Sequence, residues 1–176
     1  MPKKREVIDA EATVVDVQGK TLFDRVSDFL TAKDWGFTVG EDRTFFSFGL
    51  RLRDATVRVV VVTAESDDWS RILVYSTYPT YVPGARRQAV ADAISRINYA
   101  NLLGSLELDM NDGELRVRTT LEGGHYIGER MIDRAIRKSL DLADQYQAPL
   151  LAIAFGNASP NDVLAMASRA EANTLQ

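Results

Sequence analysis

Apolar residues recur along this chain at two spacings: every three to four residues in some segments, every second residue in most of the others. Between Thr21 and Lys33 the positions Leu22, Phe23, Val26, Phe29 and Leu30 share one helical face, and Gly36 follows the predicted helix. Strands are predicted next: a short one at Phe37 to Val39, then Thr44 to Leu52 with Phe46, Phe48, Leu50 and Leu52 on one side. Thr56 to Ala64 and Arg71 to Tyr78 are rich in β-branched and aromatic residues, which suit a pleated, half-buried surface. Gly40-Glu41-Asp42, Arg53-Asp54 and Ser66-Asp67-Asp68 read as the turns of an antiparallel meander.

Helical spacing returns after Pro83-Gly84 and lasts to about Asn101. Val90, Ala93, Ile94, Ile97 and Ala100 form its buried stripe, and Arg86, Arg87, Asp92 and Arg96 are expected to face water. A third helix starts near Ile127, with Met131, Ala135, Ile136, Leu140 and Ala143 as its stripe. Pro149 is expected to kink or end it, with Leu150 to Phe155 as a buried continuation. Ser159-Pro160-Asn161-Asp162 starts a last helix, serine serving as cap and proline standing in the first turn.

Between the second and third helices lies a hairpin. Asp112-Gly113 flanked by alternating leucines predicts a two-residue turn. That loop sets Met110 opposite Leu115, Leu108 opposite Val117 and Leu106 opposite Thr119 on an apolar face. It sets Asp109 opposite Arg116 and Glu107 opposite Arg118 on the other.

The fold class is therefore α+β, an antiparallel sheet (meander plus hairpin) packed with helices in the order α-β-β-β(-β)-α-β-β-α. Residues 1–18 read as a partly disordered N-terminal arm, 19–156 as the α+β domain and 157–176 as a C-terminal helical extension. Val59, Val60, Val61 and Val62 are apolar on both sides of one strand, as are Leu73 and Val74 on its neighbour. A sheet with one wet face would alternate there with polar residues. Either helices cover both faces or a second subunit covers one.

Composition narrows the function classes. The 176 residues are 45% hydrophobic and 26% charged, with a net charge of −4 and no cysteine. Disulfides, thiolate nucleophiles and cysteine-ligated metals are excluded, and the acidic balance argues against nucleic acid as partner. No window is apolar enough for a membrane span, and the basic N-terminus lacks the apolar region of a secretory signal, so a cytoplasmic, bacterial protein is expected.

Candidate chemistry is thin. His125 is the single histidine and reads as a polar loop residue rather than a general base. Gly123 to Gly128 has the glycine spacing of a phosphate loop, but Glu129-Arg130 stands where lysine and serine or threonine are needed. Asp109 to Glu114 resembles a calcium loop only superficially: its glycine comes fifth and no glutamate stands twelfth. Glu65, Asp67 and Asp68 read as a solvated turn, and Arg51, Arg53 and Arg58 as exposed strand charges. Tyr75, Tyr78 and Tyr81 bring amphipathic side chains to a strand end and loop, a composition found at interfaces. Together with Val60, Val62 and Leu73 they are the candidate protein-interaction residues. No catalytic, cofactor-binding or metal-binding residue is predicted.

Several of these residues carry a family resemblance. Asn98-Tyr99, Leu102-Leu103-Gly104, Leu106 to Asp109, Asp112-Gly113-Glu114 and Arg116-Val117-Arg118, with Trp35-Gly36-Phe37 and Tyr146 to Pro149, resemble the YbjN family over roughly Lys20 to Gly156. The resemblance implies a type III secretion chaperone-like fold and no catalytic motif. It further implies a non-enzymatic, regulatory, chaperone-like module that binds protein and forms a homodimer. The alternative is a regulatory (sensory) domain binding a small molecule between helices and sheet.

Overall fold

The computed structural model of the chain describes residues 19–53, 56–124 and 126–174. The expectations for the arm 1–18, for the turn at Asp54 and for His125 lie outside the described residues. Helix α1 (Leu22–Ala32) begins where the Thr21 hydroxyl accepts the Asp24 N–H at 3.1 Å, the N-cap bond that its sequence favours. It ends at Lys33, followed by Asp34 at φ 55°, a left-handed position that halts the helix.

The meander follows as β1 (Thr38–Val39), β2 (Phe45–Arg51), β3 (Thr56–Glu65) and β4 (Ser70–Tyr81). After a 3₁₀ turn at Gly84–Arg86 come α2 (Arg87–Ala100), β5 (Ser105–Leu108), β6 (Glu114–Gly123) and α3 (Glu129–Phe155). A second 3₁₀ turn, Pro160–Asp162, leads into α4 (Val163–Thr174). The six strands form one antiparallel sheet in the order β1-β2-β3-β4-β6-β5. The predicted α+β class and the order of its elements hold. The hairpin joins the meander through β6, which leaves the short β5 as an edge.

Helices pack on one face of this sheet. Phe23 of α1 stacks on Phe46 with ring centres 4.3 Å apart. The Tyr78 hydroxyl donates to the Ala143 carbonyl of α3 at 2.8 Å, and the hydroxyls of Ser76 and Ser139 meet at 2.8 Å. The core lies between these layers, with Val59, Val61, Ile72, Val74, Leu106 and Val117 beneath Leu30, Ile97, Ile136 and Leu142.

The hairpin register differs from the expected one by two residues. Leu108 lies opposite Leu115, Leu106 opposite Val117 and Glu107 opposite Arg116. The loop is four residues, not two, because Asp109 closes it: Asp109 N–H donates to Glu114 O at 2.9 Å and Gly113 N–H to Asp109 O at 2.9 Å. The Asp109 carboxylate accepts the Asn111 N–H at 2.7 Å, and the Asp112 carboxylate the Glu114 N–H at 2.8 Å. Gly113, at φ 91°, supplies the left-handed residue; a Cβ there would lie 2.3 Å from the Val82 carbonyl oxygen. A two-residue shift preserves side-chain parity, so Leu106, Leu115 and Val117 remain on the core side. Met110 moves into the loop and is exposed, and Asp109 leaves Arg116 to Glu107 at 2.9 Å.

Other expectations need smaller corrections. Arg86 and Arg87 do not face water: both guanidiniums are spent on backbone carbonyls. Arg86 donates to Ile153 O at 2.9 Å and Gly156 O at 3.1 Å, capping the end of α3. Arg87 donates to Val82, Met110, Asn111 and Asp112 oxygens at 2.7 to 3.1 Å. Ala100 and Met131 are exposed, and Ile132 takes the place of Met131 in the α3 stripe. Pro149 neither ends nor interrupts α3, which runs for 27 residues. A helix-interior proline costs about 3 kcal/mol. Leu150 and Ile153, both fully buried beyond it, return about 1.5–3 kcal/mol each, enough to carry the helix through. The α4 entry follows the sequence, with the Ser159 hydroxyl accepting Asn161 N–H at 3.2 Å; Val163 and Ala167 dock it on α2 and α3.

Candidate functional site

The valine run of β3 and its neighbour on β4 decide what the second face of the sheet presents. Val57, Val59, Val61 and Thr63 point into the core, so Arg58, Val60, Val62 and Ala64 point away from the helices. In β4, Ile72, Val74, Ser76 and Tyr78 point inward, and Arg71, Leu73, Tyr75 and Thr77 outward. Among the described residues no element lies over this outer face. Its apolar side chains are half-buried.

Strand register groups them. One row across the sheet reads Phe45, Val62, Leu73, Thr120; the next reads Ser47, Val60, Tyr75, Arg118; the third reads Gly49, Arg58, Thr77, Arg116. Phe45, Val60, Val62, Leu73 and Tyr75 thus form one contiguous apolar patch. Charges rim it. Arg116 lies over the Tyr75 ring at 4.6 Å, Glu107 binds Arg116 and Arg118 at 2.9 Å each, and Arg71 pairs with Glu122. The Arg58 guanidinium donates to the Ser47 hydroxyl at 3.2 Å.

Four of the six residues singled out from sequence, Val60, Val62, Leu73 and Tyr75, are therefore brought together. The other two are not. Tyr78 is only 3% exposed, beneath α3, and burial, with Asp144 nearby, pushes its phenol pKa up. Tyr81 is 58% exposed but stands at the far end of β4, beyond a register shift between Thr77 and Tyr81.

The sheet edges are less open than the face. At β5 the Asn98 side chain occupies both outward backbone groups of Leu106, and at the opposite edge β1 is two residues long. Closed or short edges discourage strand-to-strand pairing.

The acidic and basic clusters read from sequence disperse. Both Glu65 carboxylate oxygens lie 2.9 Å from the Leu22 N–H, holding the first turn of α1, and Arg25 lies 3.7 Å away. Asp109 and Asp112 hold the hairpin loop; the Asn111 N–H keeps the Asp109 carboxyl below its ordinary pKa. Arg53 pairs with Asp144 at 3.4 Å, away from Arg58. Among the described residues no group of three or more histidines, cysteines, aspartates or glutamates is placed to hold a metal ion. Nor is any described helix long and apolar enough to cross a membrane.

The alternative reading places a pocket between helices and sheet, and one concavity lies there, though its lining was not among the residues singled out. Between β6 and the first half of α3 lies a cleft of about 350 Å³, walled by Leu103, Leu121, Met131 and Ala135 and flanked by Arg134 and Lys138. The sequence signal is present in retrospect, since Met131, Arg134, Ala135 and Lys138 share a helix face at i, i+3, i+4 and i+7.

Residues 22–152 match the YbjN family, described as "Putative bacterial sensory transduction regulator". The fold is similar to a crystal structure of YbjN from E. coli, described as "a putative transcription regulator", with a TM-score of 0.51 at 14% identity. That likeness covers 86% of this chain and 92% of the other. No curated protein matches the sequence.

Proposed function

The chain belongs to the YbjN family, and from that premise we propose that it is a cytoplasmic, non-enzymatic regulatory protein acting through polypeptide binding on the open sheet face. The first occupant is a second copy of the same chain, and a chaperone-like grip on another protein would use the same surface. The observation carrying this reading is the patch of Phe45, Val60, Val62, Leu73 and Tyr75 with no described element over it.

Two features favour a copy of this chain. The rim contains both signs of charge, already paired within the chain as Arg71 with Glu122 and Arg118 with Glu107, so it offers a second copy no field of one sign to repel it. The blocked edges leave the face as the larger surface for association. The non-enzymatic part of the proposal is supported by the carboxylates of Glu65, Asp109 and Asp112, which are committed to backbone N–H groups.

Radical footprinting against protein concentration tests the surface. Leu73 and Tyr75 should lose reactivity as concentration rises, while Tyr99 and Leu102, at 96% and 98% exposure, should not change. Unchanged labelling of Leu73 and Tyr75 would reject the face as the interface.

A second reading, a sensory domain that binds a small molecule, is favoured by the apolar cleft between β6 and α3.

A further inference from the structure

The cleft between β6 and α3 combines three properties that an ordinary surface groove lacks. Its walls are apolar, from Leu103, Leu121 and Met131. Its floor holds the Thr119 hydroxyl, whose oxygen is buried and has no hydrogen-bond partner. Buried hydroxyls without partners are costly and uncommon, so one on a residue that lines a cavity points to a polar guest. Its rim carries Arg134 and Lys138, one helical turn apart, neither paired with an acidic group of the described residues.

Gly104 keeps this floor open. It stands at φ 80°, and a Cβ there would lie 2.7 Å from a Leu142 methyl and 3.0 Å from the Thr119 oxygen. The ends of the cleft also differ. β6 and α3 run in opposite senses along it: Thr119 and Gly104 sit beside Leu142, one turn beyond Lys138, while Leu121 and Met131 lie toward the other end. One end therefore carries Thr119 and Lys138 and the other Leu121 and Met131, with Arg134 between them. The volume of about 350 Å³ suits a small molecule.

We propose that this cleft binds a small aliphatic carboxylate. The carboxylate is held by Lys138, Arg134 and the Thr119 hydroxyl, and the alkyl chain lies along Leu121 and Met131 under Leu103. The inference rests on the small-molecule reading and adds to it the sign of the charge, the apolar tail and the residues that receive each.

Octanoate, titrated calorimetrically into the full chain and followed by methyl NMR, is the direct probe. Saturable binding is expected, with shifts at Thr119, Leu121 and Met131. Octanol and octylamine should bind roughly tenfold more weakly or worse, because they lack the charge-assisted bonds. Acetate, which lacks the tail, should bind weakly as well. The Arg134→Met/Lys138→Met double variant keeps the apolar stems at exposed or half-exposed positions and should lose octanoate by a similar factor; Thr119→Val should weaken it with Leu121 and Met131 still responding. If octanol binds as well as octanoate, or the double variant binds unchanged, the carboxylate assignment fails while a small-molecule site survives. If none of the probes saturates, the assignment and the small-molecule reading fail together.

Discussion

The side-chain amide of Asn98 stands in for a missing strand beside Leu106. Its Nδ2 donates to the Leu106 carbonyl at 3.0 Å, and the Leu106 N–H donates to its Oδ1 at 2.9 Å. One residue of α2 thereby satisfies both outward backbone groups at the centre of the β5 edge. The edge is sealed, which directs association to the face of the sheet.

Asn98→Ala should cost about 1–3 kcal/mol, since two part-buried backbone groups lose their partner. It should also raise strand-edge aggregation. Urea unfolding and static light scattering check the two effects, and an unchanged midpoint with unchanged scattering would count against the sealing role.

Arg87 fastens the hairpin loop through four backbone carbonyls, those of Val82, Met110, Asn111 and Asp112. Arg87→Ala should destabilise the fold by about 2 kcal/mol, hydrogen bonds to a charged donor being stronger than neutral ones. Amide exchange should rise first in the loop. Gly113→Ala should be worse, because the added methyl meets the Val82 carbonyl.

The same loop sets a pH dependence. Asp109 is held below its ordinary value of 3.8, first by the backbone N–H of Asn111. A carboxyl with a depressed folded-state pKa contributes stability that is fully present above the unfolded pKa and is lost as pH falls through the folded one. Carboxyl NMR titration should place the Asp109 midpoint below 3.8, with the Asn111 amide following the same curve. A midpoint at or above 3.8 would remove the Asp109 clasp from the account.

Ser76 and Ser139 share one buried hydroxyl contact at 2.8 Å, joining β4 to α3. Replacing either alone by alanine strands the other and should cost about 1–3 kcal/mol. The double replacement should cost less than the sum of the two, because no polar group remains without a partner. Strict additivity in a double-mutant cycle would contradict that pairing.

Most elements were legible in the sequence because helical and strand periodicities are local properties. What escaped is set by contacts between distant residues. The hairpin loop grew from two residues to four because the Asp109 carboxylate and the Arg87 guanidinium, the latter from another element, favour the longer turn. The spacing Tyr75, Tyr78, Tyr81 contained its own correction: residues three apart in a strand face opposite sides, so Tyr75 and Tyr78 cannot share a surface once β4 continues to Tyr81. The valines of β3 showed that both faces are apolar, but not that the helices would all choose one. A pocket between helices and sheet was expected as the alternative, but its lining went unread because Thr119 and Lys138 are brought together only by packing.

The mass of the intact chain in solution, by light scattering over a range of concentrations, tests the open face most directly. Wild type should show twice the 19.6 kDa of the single chain, and Leu73→Arg should show 19.6 kDa with an unchanged circular dichroism spectrum. A wild-type mass of 19.6 kDa at every concentration, or a dimer that survives Leu73→Arg, would contradict the account.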